Sequence, residues 1–368
     1  MQAGLECVAE PQEVTLFEMQ GSPDWVQFML DLPMTDPPGT RFVYNSGGVH
    51  LLSSIVRKAT GANALAFARE HLFAPLGIKE VVWPTDLDGL DNAGWGSLRI
   101  TPHAMAKLGY LYLNEGVWDG EQVLSAEWVK AATTRHVAFS EDASEAGYGY
   151  LWWLHGDVFA AQGRGGQRIF VVPDKRLVVV VTAGGAGQAG KRLLDRYIVP
   201  AVKAETPLSA NPDGVRRLQA HIDRAAQAPA AKTTRVQRPP KPARAISGKV
   251  CALEPNPLGL TTVLLDLAQK QEATVRFTAT SYDMEKENGF EFMVGLDGVP
   301  RQSPGRFGIP VVAKGHWTPD GVLAIDLDEV GNINRWHIRA AISGDTLDLE
   351  MRELTGLGTH SIKGRFGE

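Results

Sequence analysis

The sequence predicts an α+β domain followed by an all-β, barrel-like domain. Residues 1–205 show helical spacing first and strand-like alternation afterwards, an order that is typical of α+β domains. Residues 206–245 are rich in Ala, Pro and basic residues, which predicts a semi-rigid linker. Residues 246–368 consist of short alternating segments separated by Gly, Asp and Pro turns. Two domains also agree with a length of 368 residues, which exceeds one typical core.

The helices of the first domain are predicted from their capping residues and from apolar residues at helical spacing. Ser22–Leu32 begins with a Ser-Pro pair and Thr101–Asn114 begins with a Thr-Pro pair, both of which suit an N-cap and first helical residue. Gly61 suits the end of a helix because glycine readily adopts the left-handed conformation. Further helices are predicted over Val49–Thr60, Asn63–Leu72, Ala126–Ala132, Gly190–Val202 and Gly214–Ala226.

Strands are predicted from β-rich segments between turn residues, and Pro173–Arg176 is predicted to join two of them as a hairpin. Trp152 and Trp153 are interpreted as strand packing rather than cleft lining, because adjacent strand residues face opposite sides. Ile246–Lys249 is echoed by Ile362–Arg365, and matching first and last strands would suit a closed barrel. The predicted strands are Tyr148–Leu154, Val158–Gln162, Gln167–Val172, Leu177–Thr182, Thr261–Leu267, Ala273–Thr280, Leu323–Leu327, Arg335–Ala340 and Thr346–Met351.

Composition and charge exclude several classes of function. A hydrophobic fraction of 44% and a charged fraction of 21% are typical of globular proteins. A net charge of −5 predicts neither a nucleic-acid partner nor binding to an anionic membrane, and the basic residues of 206–245 are interpreted as solvated linker charge. No apolar run approaches the roughly 20 residues of a membrane span, and residues 1–14 contain no signal peptide. Cys7 and Cys251 are predicted to be unpaired, and no metal site or cofactor is predicted.

The segment Pro38–Gly61 is the most informative part of the chain. Tyr44, Asn45 and Ser46 are predicted to form an exposed turn before a Gly-Gly pair and a helix, a layout that can present a side chain at a cleft. The turn alone would also suit an ordinary surface tyrosine at position 44. Ser46 is equally interpreted as the N-cap of the helix or as a residue that contacts substrate.

Five ordered segments of the first domain together resemble one family. They are PGTRFVYNSGGVHLLSSIVRKATG, FAREHLFAPLGI, GWGSLRITPHAMAKLGYLYLNEG, YGYLWW and AAQGRGGQRIFVVPD. The resemblance is to the serine β-lactamase-related hydrolases, which include class C β-lactamases, carboxylesterases and 6-aminohexanoate-dimer hydrolases. It implies a partial β-lactamase/transpeptidase-like domain, and residues 246–368 resemble the lipocalin-like β-domain found in some members.

The resemblance implies a two-step acyl transfer to a serine of a Ser-x-x-Lys motif, with a tyrosine handling protons. Tyr44 matches that catalytic tyrosine, although the family's Tyr-x-Asn here has serine in its third place. Ala161–Gly163 aligns with the family's Lys-Thr-Gly or His-Thr-Gly, with alanine in the place of the cation or imidazole. The backbone N–H of Arg164 would form half of an oxyanion hole. Gly163, Gly165 and Gly166 would equally suit a β-bulge or a tight turn. The implied substrate is an ester, amide or β-lactam, and the implied substrate-binding residues are Asn45, Ser46, Gly163 and Arg164.

No Ser-x-x-Lys occurs in the 368 residues. The resemblance therefore implies that the chain begins after the nucleophile helix, which would leave an apolar sheet edge near Leu177–Thr182 uncovered. A tyrosine with a pKa near 10 is a poor base alone, so the chain as given is expected to be inactive. Three hypotheses remain: a hydrolase whose true start lies upstream of Met1, an inactive remnant, and a ligand- or partner-binding protein.

Overall fold

The computed structural model describes residues 1–9, 13–139, 146–185, 189–227, 232–279, 289–305, 309–356 and 358–367. They divide into two compact units, a first unit of Met1–Gly190 and a second unit of Lys191–Thr278 with Gly289–Glu368. The first unit combines helices with an antiparallel sheet and the second is dominated by one large sheet, which confirms the predicted fold class. The division of the chain at 205 and 245 stays a prediction.

The helices are mostly short and begin at residues that can cap them. Thr101 caps its helix as predicted, because its Oγ1 accepts a hydrogen bond from the N–H of Ala104 at 3.2 Å. The predicted start at Ser22 is wrong, since Asp24 accepts from the N–H of Gln27 at 2.8 Å while Ser22 donates backwards to the preceding helix. The helices are α1 (Val14–Gly21), α2 (Trp25–Leu30), α3 (Ser46–Thr60), α4 (Ala64–Ala68), α5 (Pro102–Leu113), α6 (Ala126–Thr133), α7 (Ala189–Leu193), α8 (Pro212–Ala226) and α9 (Lys241–Ile246), with π or 3₁₀ turns at Arg69–Phe73, Leu194–Ile198 and Val199–Ala201.

The first unit contains a six-stranded antiparallel sheet and two short strand pairs. The predicted strand Tyr148–Leu154 is wrong, because a turn with Leu151 at φ 64° divides it into two strands. The hairpin connection at Pro173–Arg176 is confirmed, with Arg176 left-handed at φ 46°. The strands are β1 (Val81–Val82), β2 (Arg99–Ile100), β3 (Val117–Trp118), β4 (Glu121–Gln122), β5 (Val137–Ala138), β6 (Ala146–Tyr148), β7 (Trp153–His155), β8 (Val158–Gly163), β9 (Gln167–Val172) and β10 (Leu177–Val181).

The sheet has the order β10-β9-β8-β7-β6-β5, and α5 packs against it. Gly109 of α5 faces the sheet at very short range, since a Cβ at this position would lie 2.7 Å from side chains of both Ile169 and Val178. At the edge of the sheet, β10 pairs with β9 alone among the strands that the structure describes, and all five of its residues are partly exposed. This agrees with the uncovered apolar edge expected near Leu177–Thr182.

The second unit is a barrel. Nine of its described strands close in the order β11-β12-β13-β14-β16-β17-β18-β19-β20, with β14 and β16 paired in parallel, and β15 pairs with β16 as the remaining strand of the sheet. The strands are β11 (Val250–Leu253), β12 (Leu260–Asp266), β13 (Glu272–Ala279), β14 (Gly289–Gly295), β15 (Arg301–Ser303), β16 (Val311–Trp317), β17 (Leu323–Glu329), β18 (Arg335–Ser343), β19 (Thr346–Glu353) and β20 (Gly358–Phe366).

Closure of the barrel depends on pairing between its first and last strands, as the sequence predicts. Cys251 of β11 lies opposite Phe366 of β20 in an antiparallel ladder. The echo at Ile246–Lys249 is not part of that strand, because Ile246 ends α9. Alternate residues of β19 are buried, which places one face of the strand in an apolar interior.

The predicted linker 206–245 is not extended throughout. Residues 212–226 form α8, as predicted, and the end of the segment forms α9, in which Ala243 and Ile246 are buried. Both cysteines are free, as predicted. In the described parts of the chain, no helix combines the length and the apolar character that crossing a membrane would require.

Candidate active site

The predicted site residues lie at the first turn of α3. Asn45 is the N-cap, because its Oδ1 accepts a hydrogen bond from the N–H of Gly48 at 2.7 Å. The interpretation of Ser46 as the cap is therefore wrong, since Ser46 is already the first helical residue. Asn45 and Ser46 are each only 5% exposed, so the predicted exposed turn is also wrong. The end of α3 is as predicted, with Gly61 left-handed at φ 78°.

Close packing explains why this turn is buried. A Cβ at Gly47 would overlap the sulfur of Met29, so glycine allows α3 to approach the side chains beneath it. The chain before α3 is held by the N-terminal segment, in which the carbonyl of Met1 accepts from the N–H of Val43 at 2.9 Å. The thiol of Cys7 donates to the carbonyl of Tyr44 at 3.5 Å. Tyr44 is thus fixed on both sides by residues distant in sequence.

The ring of Tyr44 belongs to an aromatic cluster on the sheet. It stacks on Trp153 of β7, with ring centroids 5.9 Å apart and planes inclined by 23°. Tyr148 of β6 meets the same indole edge-on at 5.0 Å. We call Phe42, Tyr44, Phe139, Tyr148 and Trp153 the aromatic wall.

Trp153 was not among the predicted site residues, although strand alternation contained a signal for it. Trp152 is 7% exposed and packs edge-on against Phe159 in the core, so its neighbour must face the other way. That other side is where Tyr44 lies. The two tryptophans thus have different aromatic neighbours, and Trp153, which was interpreted as strand packing rather than cleft lining, contacts Tyr44 of the candidate site.

The electrostatic surroundings of Tyr44 keep its phenol protonated. Burial raises the pKa of Tyr44, the negative charge of Glu13 raises it further, and a hydrogen bond with the Ser46 side chain partly offsets both. Burial and the neighbouring Tyr44 likewise raise the pKa of Tyr148. Burial raises the pKa of Cys7 as well, so its thiol is no substitute for an activated nucleophile.

Glu13 is a residue of the site that sequence reasoning missed. It lies directly before α1 in a left-handed conformation, with φ 49°, which is uncommon for a residue other than glycine. Its Oε2 is buried and has no hydrogen-bond partner in the described part of the chain. No local pattern links it to Tyr44, because the two are far apart in sequence and are brought together only by the fold.

Gly163 is the last residue of β8, and Arg164 begins the turn that follows it. Gly165 and Gly166 are left-handed, with φ 72° and 98°, so the tight-turn interpretation explains these two glycines. It does not explain Gly163, whose φ of −118° is open to any residue. The turn is anchored by a hydrogen bond from the N–H of Gly185 to the carbonyl of Gly165 at 2.9 Å.

The sheet relates this turn to the aromatic wall. Trp153 lies opposite Ala160 in the β7–β8 ladder, and Gly163 follows Ala160 by three residues. At a rise of about 3.3 Å per residue, Gly163 lies about 10 Å along β8 from Ala160. Ala160 is the residue opposite Trp153, on which Tyr44 stacks. The predicted site residues thus form two groups: Tyr44, Asn45 and Ser46 before and at the start of α3, and Gly163 and Arg164 at the end of β8. The roles assigned to these five residues stay predictions.

Comparison with known proteins assigns the first unit. A family model described as beta-lactamase matches residues 2–203, which is more than half of the chain. The chain belongs to the β-lactamase family. The predicted resemblance of the five sequence segments is thereby confirmed, together with the presence of a C-terminal barrel.

This β-lactamase family member is similar to an uncharacterised protein of Alkalihalophilus pseudofirmus, with 24% identity over 39% of this chain and 52% of the relative. It is similar in structure to a candidate 6-aminohexanoate-dimer hydrolase from Bacillus anthracis (22% identity, 62% and 59% of the two chains, TM-score 0.44). A penicillin-binding protein from Bacillus halodurans is also similar (20% identity, 50% and 66% of the chains, TM-score 0.40). The chain spans about half the length of the curated relative it matches.

Proposed function

We propose that the first unit is the acyl-transfer domain of a serine hydrolase that acts on an ester, an amide or a β-lactam, with Tyr44 handling protons. We further propose that these 368 residues do not carry out the reaction by themselves. The observation that carries the proposal is the position of Tyr44, a half-buried phenol fixed between the start of α3 and Trp153.

Acyl transfer needs an oxygen nucleophile that loses its proton as it attacks the carbonyl carbon. Burial and Glu13 raise the pKa of Tyr44, so at neutral pH its phenol can donate a proton but does not remove one from a serine. A neighbouring cation would reverse this by favouring the phenolate. The chain contains no Ser-x-x-Lys that would supply both nucleophile and cation, which supports inactivity of the chain as given.

The remaining predicted residues have roles that fit this proposal. Because Oδ1 of Asn45 is occupied by the cap of α3, only its NH₂ group would be offered to a substrate oxygen. Ser46 would orient the phenol through its hydrogen bond with Tyr44. Backbone N–H groups at Gly163 and Arg164 would bind the oxyanion of the tetrahedral intermediate.

Covalent labelling tests the proposed inactivity. The full chain is incubated with a fluorophosphonate probe or benzylpenicillin, and its intact mass is measured. We expect the mass to stay unchanged, because no serine has a lysine three residues later to activate it. A stoichiometric adduct would contradict the proposal. The variants S46A, S53A and S54A would then show whether a serine of α3 carries the adduct.

A second candidate function, the binding of a carbonyl ligand without turnover, is favoured by the stack of Tyr44 on Trp153. A neutral phenol beside an indole face offers a hydrogen-bond donor and an apolar surface together. Calorimetric titration with benzylpenicillin tests it, with an expected loss of about tenfold or more in affinity for Y44A. The control is Y197A, since Tyr197 is 58% exposed and outside the wall. Equal affinities for the two variants would exclude this function.

A further inference from the structure

The apolar stripe of α8 is left exposed. Val215, Leu218 and Ile222 follow one another at intervals of three and four residues, so they lie on one face of the helix. They are 65%, 61% and 50% exposed, and Leu208 just before the helix is 75% exposed. No residue of α8 is buried. This stripe is therefore not part of the core of the second unit.

The helix is nevertheless well specified by local interactions. Asn211 caps it, because Oδ1 accepts a hydrogen bond from the N–H of Gly214 at 2.9 Å, and Pro212 occupies the first turn. Arg216 pairs with Asp213 on the polar face, and the side chain of Gln219 donates to Asp223 at 2.8 Å. Local caps and pairs account for a helix here, but they do not account for an unpaired row of Val, Leu and Ile.

Positive charge is concentrated around this helix. Residues 206–245 contain eight Lys or Arg and two Asp, which gives a net charge of +6. Because the whole chain carries −5, the remaining residues together carry −11. At 100° per residue, Arg216, Arg217 and Arg224 lie on the side of α8 away from the apolar stripe. The net charge of the whole chain therefore conceals a basic segment built around an amphipathic helix.

We propose that α8, together with the basic residues of 206–245, binds the surface of an anionic lipid bilayer. The helix lies in the plane of the interface, with Val215, Leu218 and Ile222 at the boundary between headgroups and acyl chains. Three apolar side chains alone are a weak anchor. Each Lys or Arg close to an anionic surface adds roughly fivefold in affinity for the bilayer. A net charge of +6 therefore supplies the affinity that the three apolar side chains lack. This replaces the interpretation of the segment as solvated linker charge.

The charge also favours a bilayer over a second copy of the chain. Pairing the stripes of two copies would bring two segments of +6 together, and like charges across an interface oppose association. An anionic bilayer offers apolar depth and negative charge in the same surface. The second copy is therefore treated as an outcome of the test.

Sedimentation of the full chain with vesicles tests this proposal. We expect binding to phosphatidylcholine vesicles that contain about 30% phosphatidylglycerol, and little binding to pure phosphatidylcholine. Binding should weaken by at least about tenfold in roughly 0.5 M salt, because the Debye length falls. The triple variant V215S/L218S/I222S should lose at least about tenfold in affinity.

A matched control removes three apolar side chains of the second unit that lie outside α8 and are about half exposed. Val250, Val330 and Leu354 are 52%, 46% and 47% exposed, and the variant V250S/V330S/L354S should bind vesicles as the parent does. The proposal is overturned if the parent does not bind anionic vesicles, if it binds neutral ones equally, or if both triple variants behave alike. It is also overturned if the parent forms a dimer that only the α8 variant abolishes, which would assign the stripe to a second copy.

Discussion

Asp91 is a carboxylate that stays ionised although its side chain is only 1% exposed. Burial would raise its pKa, but the hydrogen bonds and the charge of Arg57 hold the pKa below its ordinary value. Arg57 of α3 binds it with two hydrogen bonds, Nε to Oδ1 at 2.6 Å and Nη2 to Oδ2 at 3.0 Å. This pair of hydrogen bonds, the buried fork, connects α3, whose first turn contains the candidate site, to the loop containing Asp91.

Replacing Arg57 by Gln should lower the free energy of unfolding by about 3 kcal/mol at pH 7, because it leaves a buried charge without its partner. The folded-state pKa of Asp91 lies below its unfolded value, so its stabilisation exists above pH 4 and is lost as the pH falls further. Urea unfolding should therefore show that the difference between R57Q and the parent shrinks towards pH 3.

The control for this substitution is R41Q. Arg41 pairs with Asp36 at 3.4 Å, but its side chain is 67% exposed, so its loss should cost less than about 0.5 kcal/mol. Equal costs for the two substitutions at pH 7 would contradict the importance of the buried fork. A difference that is undiminished at pH 3 would contradict its dependence on an ionised Asp91.

At the scale of the element, α3 depends on its first turn. Asn45 caps α3 and adjoins Tyr44. Its side chain therefore has two roles to distinguish, the observed cap and the proposed contact with substrate. The cap uses Oδ1 alone, and Asp presents the same oxygen without the NH₂ group. A comparison of Asp and Ala at position 45 therefore separates the two roles.

N45A should cost about 1 kcal/mol of stability, whereas N45D should retain most of it, because carboxylate oxygens cap helices as well as amides do. Urea unfolding at pH 7 measures both variants. N63A provides the matched control, since Asn63 caps α4 through the same contact, with Oδ1 accepting from Ala66 at 2.9 Å. If N45D proves as destabilising as N45A, the side chain does more for the fold than cap α3.

The elements that could be predicted from sequence are those with local causes. Thr101 before Pro102 determines the start of α5, and a β-rich segment between turn residues gives the observed bounds of β9. Ser22 and Asp24 are both good caps, and only the packed structure decides between them. The turn between β6 and β7 was missed because its sequence reads as a continuous strand and lacks a typical hairpin pair.

The same distinction applies to the candidate site. Tyr44, Asn45 and Ser46 adjoin one another in sequence, and a short motif was enough to locate them. Glu13 and Trp153 act on Tyr44 from distant parts of the chain, through charge and stacking. Hydrophobic periodicity describes which face of an element is buried, but it does not say which other element covers it.

At the scale of the whole molecule, the barrel of the second unit depends on β20. This strand pairs with β19 on one side and with β11 on the other, so it completes the ring of strands. Deleting residues 358–368 should leave two unpaired apolar edges, abolish cooperative unfolding of the second unit and increase binding of a hydrophobic dye. Calorimetry and dye fluorescence measure these effects.

The control for the deletion is K363A, since Lys363 lies on β20 with its side chain exposed. This substitution should change the free energy of unfolding by less than about 0.5 kcal/mol. A deletion variant that still unfolds cooperatively, with no added dye binding, would show that the ring of strands is stable without its closing member.

The pairing of β11 with β20 can form only late in the synthesis of the barrel, because the two strands are far apart in sequence. More than a hundred residues separate Val250–Leu253 from Gly358–Phe366, and no other described strand bridges the two edges. At about 5–20 residues per second, the first strand leaves the ribosome roughly 5–20 s before its last partner. During that interval β11 and β19 of the nascent chain lack the strand that pairs with both of them. The ring of strands is thus completed only after β20 has been synthesised.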